Sequence, residues 1–172
     1  MLNKKHVYFL AGLMVAFCAI AMVPNPALAQ NADQDFAMKA ANGGKMEVEL
    51  GRLAAKKGRH AAVKSFGRRM VTDHTVAGNK LKAIARRKSI TLPQTLDADA
   101  KAKVDQLAPL NGAAFDRAYM DMMVMDHEED VTLFEAEATS GSDAQLKAFA
   151  AATLPTLKRH LSMAKQTAAK VK

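Results

Sequence analysis

The chain has 172 residues, 49% of them hydrophobic but only 5% aromatic, with one cysteine and a formal net charge of +8. Once an export signal is set aside, about 140 residues remain, which is one ordinary domain with room for a substantial core. The scarcity of aromatics and the complete absence of tryptophan argue against nucleic acid as a partner, and a single cysteine excludes a disulfide framework.

Lys4 and Lys5 precede an apolar run from Val7 to Val23, and Ala27-Leu28-Ala29 offers small residues at the spacing a signal peptidase needs. Residues 1–29 therefore read as a cleaved signal peptide and residues 30–172 as the mature domain, with the periplasm or cell envelope as its address. An uncleaved anchor fits less well, because the apolar core falls short of the ~20 residues of a spanning helix and ends at Pro24 and Pro26. Cys18 lies inside that core behind Phe17, which disfavours lipoprotein processing. Loss of Lys4 and Lys5 lowers the net charge from +8 to +6.

In the mature chain Asp33 offers an N-cap before Phe36, and a helical pattern runs on to about Lys57, with Gly43 and Gly44 expected to interrupt it. Gly58 ends the run. A second helix is predicted from about His60 to Lys88, with Val63, Phe66, Met70, His74, Ala77, Leu81 and Ile84 at three- and four-residue steps. The short connection forces antiparallel packing. Thr91-Leu-Pro93 then stops the pattern, Asp97 to Leu107 is compatible with a short helix, and Pro109, Asn111 and Gly112 mark a turn. A third long helix follows from about Ala113 to Thr139. Ser142-Asp-Ala-Gln145 reads as a capping-box start for a fourth, which Pro155 is expected to kink. No alternating strand pattern survives, so the fold class is all-α: a ferritin-like four-helix bundle of two antiparallel hairpins, with a crossover segment containing a short helix. Predicted core residues are Phe36, Leu50, Leu53, Val63, Phe66, Leu81, Phe115, Leu133, Phe134, Leu146 and Leu157.

Each long helix carries one metal-competent side chain in its apolar stripe. His127 shares a face with Met120, Val124, Val131 and Phe134; His74 with Met70, Ala77 and Leu81; His160 with Thr153, Leu157 and Ala164; Glu47 with Phe36, Gly43, Leu50 and Ala54. A buried ionisable group is costly unless it is paired, hydrogen-bonded or metal-bound. Glu47, His74, His127 and His160 are therefore candidate metal ligands, with a metal-free polar network as the alternative. Counted from the turn near Ser140, His127 lies about twelve residues back and His160 about seventeen on, a mismatch of ~7 Å at ~1.5 Å per residue. Tyr119 or Asp126 could serve where His127 misses; otherwise Tyr119 and Asp116 read as core hydrogen-bonding groups.

The sequence also resembles a known family. Glu-Val-Glu-Leu-Gly starting at Glu47, Met70-Val-Thr-Asp-His74, Phe115-Asp-Arg-Ala-Tyr119, His127 and Leu154-Pro-Thr-Leu-Lys-Arg-His160-Leu are similar to the exported bacterial domain of unknown function DUF4142, over nearly all of the mature chain. The resemblance implies a ferritin-like fold and an envelope address and supplies no reaction.

A di-iron carboxylate centre wants a Glu-x-x-His step on two helices, but Val71, Val124 and Leu157 stand three residues before the histidines. The residues suit one Zn, Fe or Mn ion instead. Met120, Met122, Met123 and Met125 add copper as a lesser option, although methionine at helical spacing is commonly core filler. No nucleophile motif, phosphate-cradling loop or zinc-protease signature is present, so enzyme activity is not the default reading. Between Arg52 and Lys88 there are twelve Lys or Arg against Asp73 alone, and between Gly112 and Gln145 nine Asp or Glu against Arg117 alone. The expectation is that these faces attract one another within the fold; the alternative is a basic hairpin that meets an anionic envelope surface.

Overall fold

The computed structural model describes residues 26–172, with side chains from Asn31 onward, so the signal-peptide reading of residues 1–29 lies outside the described side chains. Five helices follow in order: α1 (Pro26–Lys57), α2 (Ala61–Arg87), α3 (Ala98–Leu107), α4 (Gly112–Ser140) and α5 (Ala144–Ala168). No strand occurs among the described residues, and an isolated bridge between Gly58 and Gly112 is the nearest approach to one. No helix among them is long and apolar enough to cross a membrane.

Residues 58–60 join α1 to α2 and residues 141–143 join α4 to α5, so each pair folds back as an antiparallel hairpin. Packing is densest within these pairs; α1 also faces α4, α2 faces α5, and α3 lies across α1 and α4. Close approach in the first hairpin depends on two glycines. A Cβ on Gly51 would fall 2.6 Å from the Gly67 carbonyl oxygen, and one on Gly67 would fall 2.7 Å from that of Gly51.

Three local expectations are corrected. Gly43 and Gly44 do not interrupt α1, which continues through both, because two glycines in a long helix are outweighed by its packed face. Asp33 does not start α1, since the helix already runs from Pro26. Instead its carboxylate accepts hydrogen bonds from the backbone N–H groups of Ser142 (2.9 Å) and Asp143 (2.7 Å), in the turn of the other hairpin. At that turn Asp143, not Ser142, is the N-cap of α5, accepting from Gln145 and Leu146. Asp116 mirrors Asp33: from α4 it accepts from Arg59 N (2.9 Å) and His60 N (2.7 Å) in the first hairpin's turn. Each hairpin thus ties off the other's turn with a carboxylate. The predicted α3 forms behind its N-cap Asp97, and α5 runs unbroken through Pro155.

Of the predicted core, Phe36, Leu50, Val63, Phe66, Leu81, Phe115, Phe134, Leu146 and Leu157 are buried, while Leu53 and Leu133 pack at its edge. Full burial of one such side chain contributes ~1.5–3 kcal/mol. The core falls into two clusters. One gathers Leu50, Phe66, Met70, Tyr119, Met120 and Met123; the other gathers Phe36, Leu81, Phe134, Phe149 and Leu157. On α1, α2 and α4, Glu47, His74 and His127 fall in sequence between members of the two clusters, and on α5 His160 lies between Leu157 and Ala164.

Candidate metal centre

The four predicted residues meet in a polar layer between those clusters. Glu47, His127 and His160 are at most 1% exposed, and His74 is 7% exposed. Ring centroids lie 5.8 Å apart for His74 and His127, 5.4 Å for His74 and His160, and 5.4 Å for His127 and His160. One ligand atom from each histidine falls within 4.8 Å of the others, a buried cluster that could hold a metal ion. Glu47 joins them through Oε2, 2.7 Å from His74 Nδ1, and Oε1, 3.2 Å from His127 Nε2. Neither contact has hydrogen-bond alignment, and both carboxylate oxygens are buried without a partner.

The expected mismatch between His127 and His160 is corrected by side-chain direction. Helical side chains lean toward the N-terminus of their own helix. On α4 that carries His127 away from the turn, and on α5 it carries His160 toward it. Both leans shorten the gap.

Two of the rings are oriented from behind. His127 Nδ1 lies 2.8 Å from the Met123 carbonyl oxygen, which can only accept, so Nδ1 carries the proton and Nε2 is left as a base. His160 Nε2 donates to Asp73 Oδ2 at 2.8 Å, leaving Nδ1 as its base. His74 Nε2, His127 Nε2 and His160 Nδ1 are all buried and unpartnered. Burial keeps the imidazoles neutral: it pulls His160 down to about 4, against the opposing pull of Asp73, and it lowers His74 and His127 as well. Burial also pushes the Glu47 carboxyl up to about 7, with His127 pulling the other way. Neutral imidazole is the form a metal binds.

The two named neighbours do not enter this set. Asp126 is held by Lys103 Nζ at 2.6 Å. Tyr119 is fully buried, stacked on Phe115 at 5.6 Å and edge-on to Phe66 at 6.2 Å, and its hydroxyl has no hydrogen-bond partner, so the expected core hydrogen bond is absent. The methionines also disperse: Met120 and Met123 are buried, whereas Met125 is 60% exposed, so the four do not converge as a thioether set.

Two carboxylates escaped the sequence reading. Asp73 anchors His160 from the neighbouring helix. Asp130 lies close enough to His74 and Glu47 to act on both charges, and burial together with the Glu47 charge pushes its own carboxyl well above the usual range. The spacing His127-x-x-Asp130, which puts both on one helix face, was the available signal for it. Among the described residues the opposed charge runs meet in one ion pair, Lys88 with Asp143, fewer than expected. Acids on α4 pair with Lys103, Lys158 and Lys165, and in the basic run Arg69 pairs with Asp73 of the same run.

A family model described as a domain of unknown function, DUF4142, matches residues 19–167. No curated protein and no solved structure matches the chain.

Proposed function

The chain belongs to the DUF4142 family, and we propose that it is a metal-binding helical bundle of the periplasm or cell envelope, holding one Zn, Fe or Mn ion on His74, His127 and His160 with Glu47 beside them. The observation that carries this reading is the convergence of three buried imidazoles, each with a buried ring nitrogen that makes no aligned hydrogen bond. A structural polar network would pair such atoms, since each unsatisfied buried group costs ~1–3 kcal/mol. Nitrogen and carboxylate donors suit these ions, and without thiolate or converging thioether the set lacks the ligands that select Cu(I). An ion in the centre would serve metal handling or defence against oxidative stress, and no step in a reaction is assigned to the four residues.

The test is metal analysis of the full chain purified without an affinity tag, followed by melting curves with Zn, Fe, Mn and Cu added in turn. Binding to the native state must stabilise it, by ~2.7 kcal/mol at a ligand concentration a hundredfold above Kd. We expect a higher melting temperature with at least one of Zn, Fe and Mn, and loss of that rise in both His74→Ala and His160→Ala. If no metal raises it, the four residues are a structural polar network.

A second reading rests on the unneutralised basic face, where Arg52, Lys56, Arg68, Lys80, Lys82 and Arg86 are all exposed. On it the bundle is a non-catalytic module that meets an anionic envelope surface. Attachment through exposed charge weakens steeply with ionic strength, while retention of a buried ion does not.

A further inference from the structure

Two grooves of opposite charge reach the centre. Between α1, α3 and α4, one is lined by Asp35, Asp97, Asp99, Asp126, Glu128 and Glu129, with Glu47 and Asp130 also in its wall: eight carboxylates against Lys39 and Lys103. The other, between α1, α2 and α5, carries eight Lys or Arg against four carboxylates, of which Glu47 and Asp130 are two. Both grooves therefore share Glu47 and Asp130. Gly43 lines the acidic one and Gly44 the basic one.

Packing does not demand glycine at either position. A Cβ on Gly43 would sit 3.8 Å from Asp130 Oδ1, and one on Gly44 would sit 3.9 Å from His74 Nδ1, both ordinary contacts. Gly51 and Gly67 differ, since a Cβ there would strike backbone. In mid-helix each glycine costs ~1 kcal/mol relative to alanine. What the pair leaves is side-chain space on the surface of α1, over Asp130 of α4 at Gly43 and over His74 of α2 at Gly44, closed by any long side chain. Next to it Glu47, 1% exposed, has two unpartnered oxygens.

We propose that a divalent cation reaches the histidines along the acidic groove, passes between α1 and α4 over Gly43, and is received first by Asp130, a positioning carboxylate. The inference rests on the metal-binding reading above. A groove lined by one sign of charge between low-dielectric walls concentrates the opposite ion and speeds its arrival, and the basic groove repels the same ion. Asp130 is the carboxylate that faces the gap at Gly43 and also acts on His74.

Stopped-flow uptake of Zn²⁺ from a chromophoric chelator, at low and high salt, tests the route. Gly43→Leu plugs the gap, and Asp99→Lys with Glu129→Lys reverses two exposed groove charges without touching the core. Lys82→Glu with Arg86→Glu is the control on the basic side. We expect the first two variants to load at least tenfold more slowly at low salt, with the affinity at equilibrium within threefold of the parent. The charge variant should recover its rate in high salt, and the control should load like the parent. Unchanged rates in the acidic-groove charge variant, or faster loading in the control, would overturn the proposal while leaving the metal site intact. A parent chain that takes up no Zn²⁺, Fe²⁺ or Mn²⁺ would instead remove the metal reading, and the route with it. A melting curve of Gly43→Leu establishes that it folds, and the charge variant decides the matter if it does not.

Discussion

A buried imidazole serves a metal only as a neutral base pointed at it, and here the aim is set by groups behind the rings. Asp73 holds His160 Nε2 and the Met123 carbonyl holds His127 Nδ1. Removing such an outer hydrogen bond typically costs 10–100-fold in metal affinity. Asp73→Ala should therefore weaken Zn²⁺ binding by about that factor, read by competition with a chelator, while the chain stays folded; unchanged affinity would mean that His160 needs no anchor. A second residue reports on pH. Glu137 is buried beside Asp33 and Asp143, and burial, reinforced by those two charges, pushes its carboxyl up to about 7 from an ordinary 4.5. Between those values the folded state holds a proton that the unfolded state has released. The group's contribution to stability is thus complete below about 4.5 and lost as pH rises through about 7. Glu137→Gln should raise the melting temperature at pH 8, where the parent buries a charge, and leave it nearly unchanged at pH 4.5. An equal effect at both values would show that Glu137 does not titrate in this window.

At the scale of the helices, the glycines of the first hairpin divide by what surrounds them. Gly51→Ala and Gly67→Ala should each destabilise the protein by ~1–3 kcal/mol or more, because the added carbon strikes a backbone oxygen of the facing helix and, at Gly67, also the Ala54 Cβ, neither of which can swing aside. Gly43→Ala should stabilise it by ~0.4–1 kcal/mol, since its surroundings accept a methyl group. Denaturant unfolding of the three variants measures both, and a loss at Gly43 equal to that at Gly51 would contradict this division. Much of the architecture was legible from periodicity. Glu47, His74, His127 and His160 were found because each interrupts an apolar stripe, and a stripe states which side of a helix faces inward. Periodicity is silent on rotation between helices and on contacts between residues far apart in the chain. Asp73 sits beside His74 in sequence but serves His160, and Asp33 looks like a local cap while its partners are Ser142 and Asp143. Counting along helix axes misjudged His127 against His160 because it left out the lean of the side chains.

Across the whole molecule, two apolar clusters enclose a polar layer to which every long helix contributes one residue, and each hairpin fastens the other's turn through Asp33 or Asp116. Holding the hairpins in register keeps the four donors level, so the scaffold and the centre depend on one another. The opposed grooves add polarity, with carboxylates in the groove between α1, α3 and α4 and cations in the groove between α1, α2 and α5. The central claim is the identity of the ligands, and X-ray absorption at the zinc edge of the loaded full chain reads them most directly. The account predicts one ion per chain with imidazole scattering from three histidines at ~2.0–2.1 Å and an added oxygen ligand, and in His127→Ala either no retained ion or one with fewer imidazoles. A shell of oxygen donors alone, or a spectrum that His127→Ala leaves unaltered, would place the ion on surface carboxylates and contradict the buried centre.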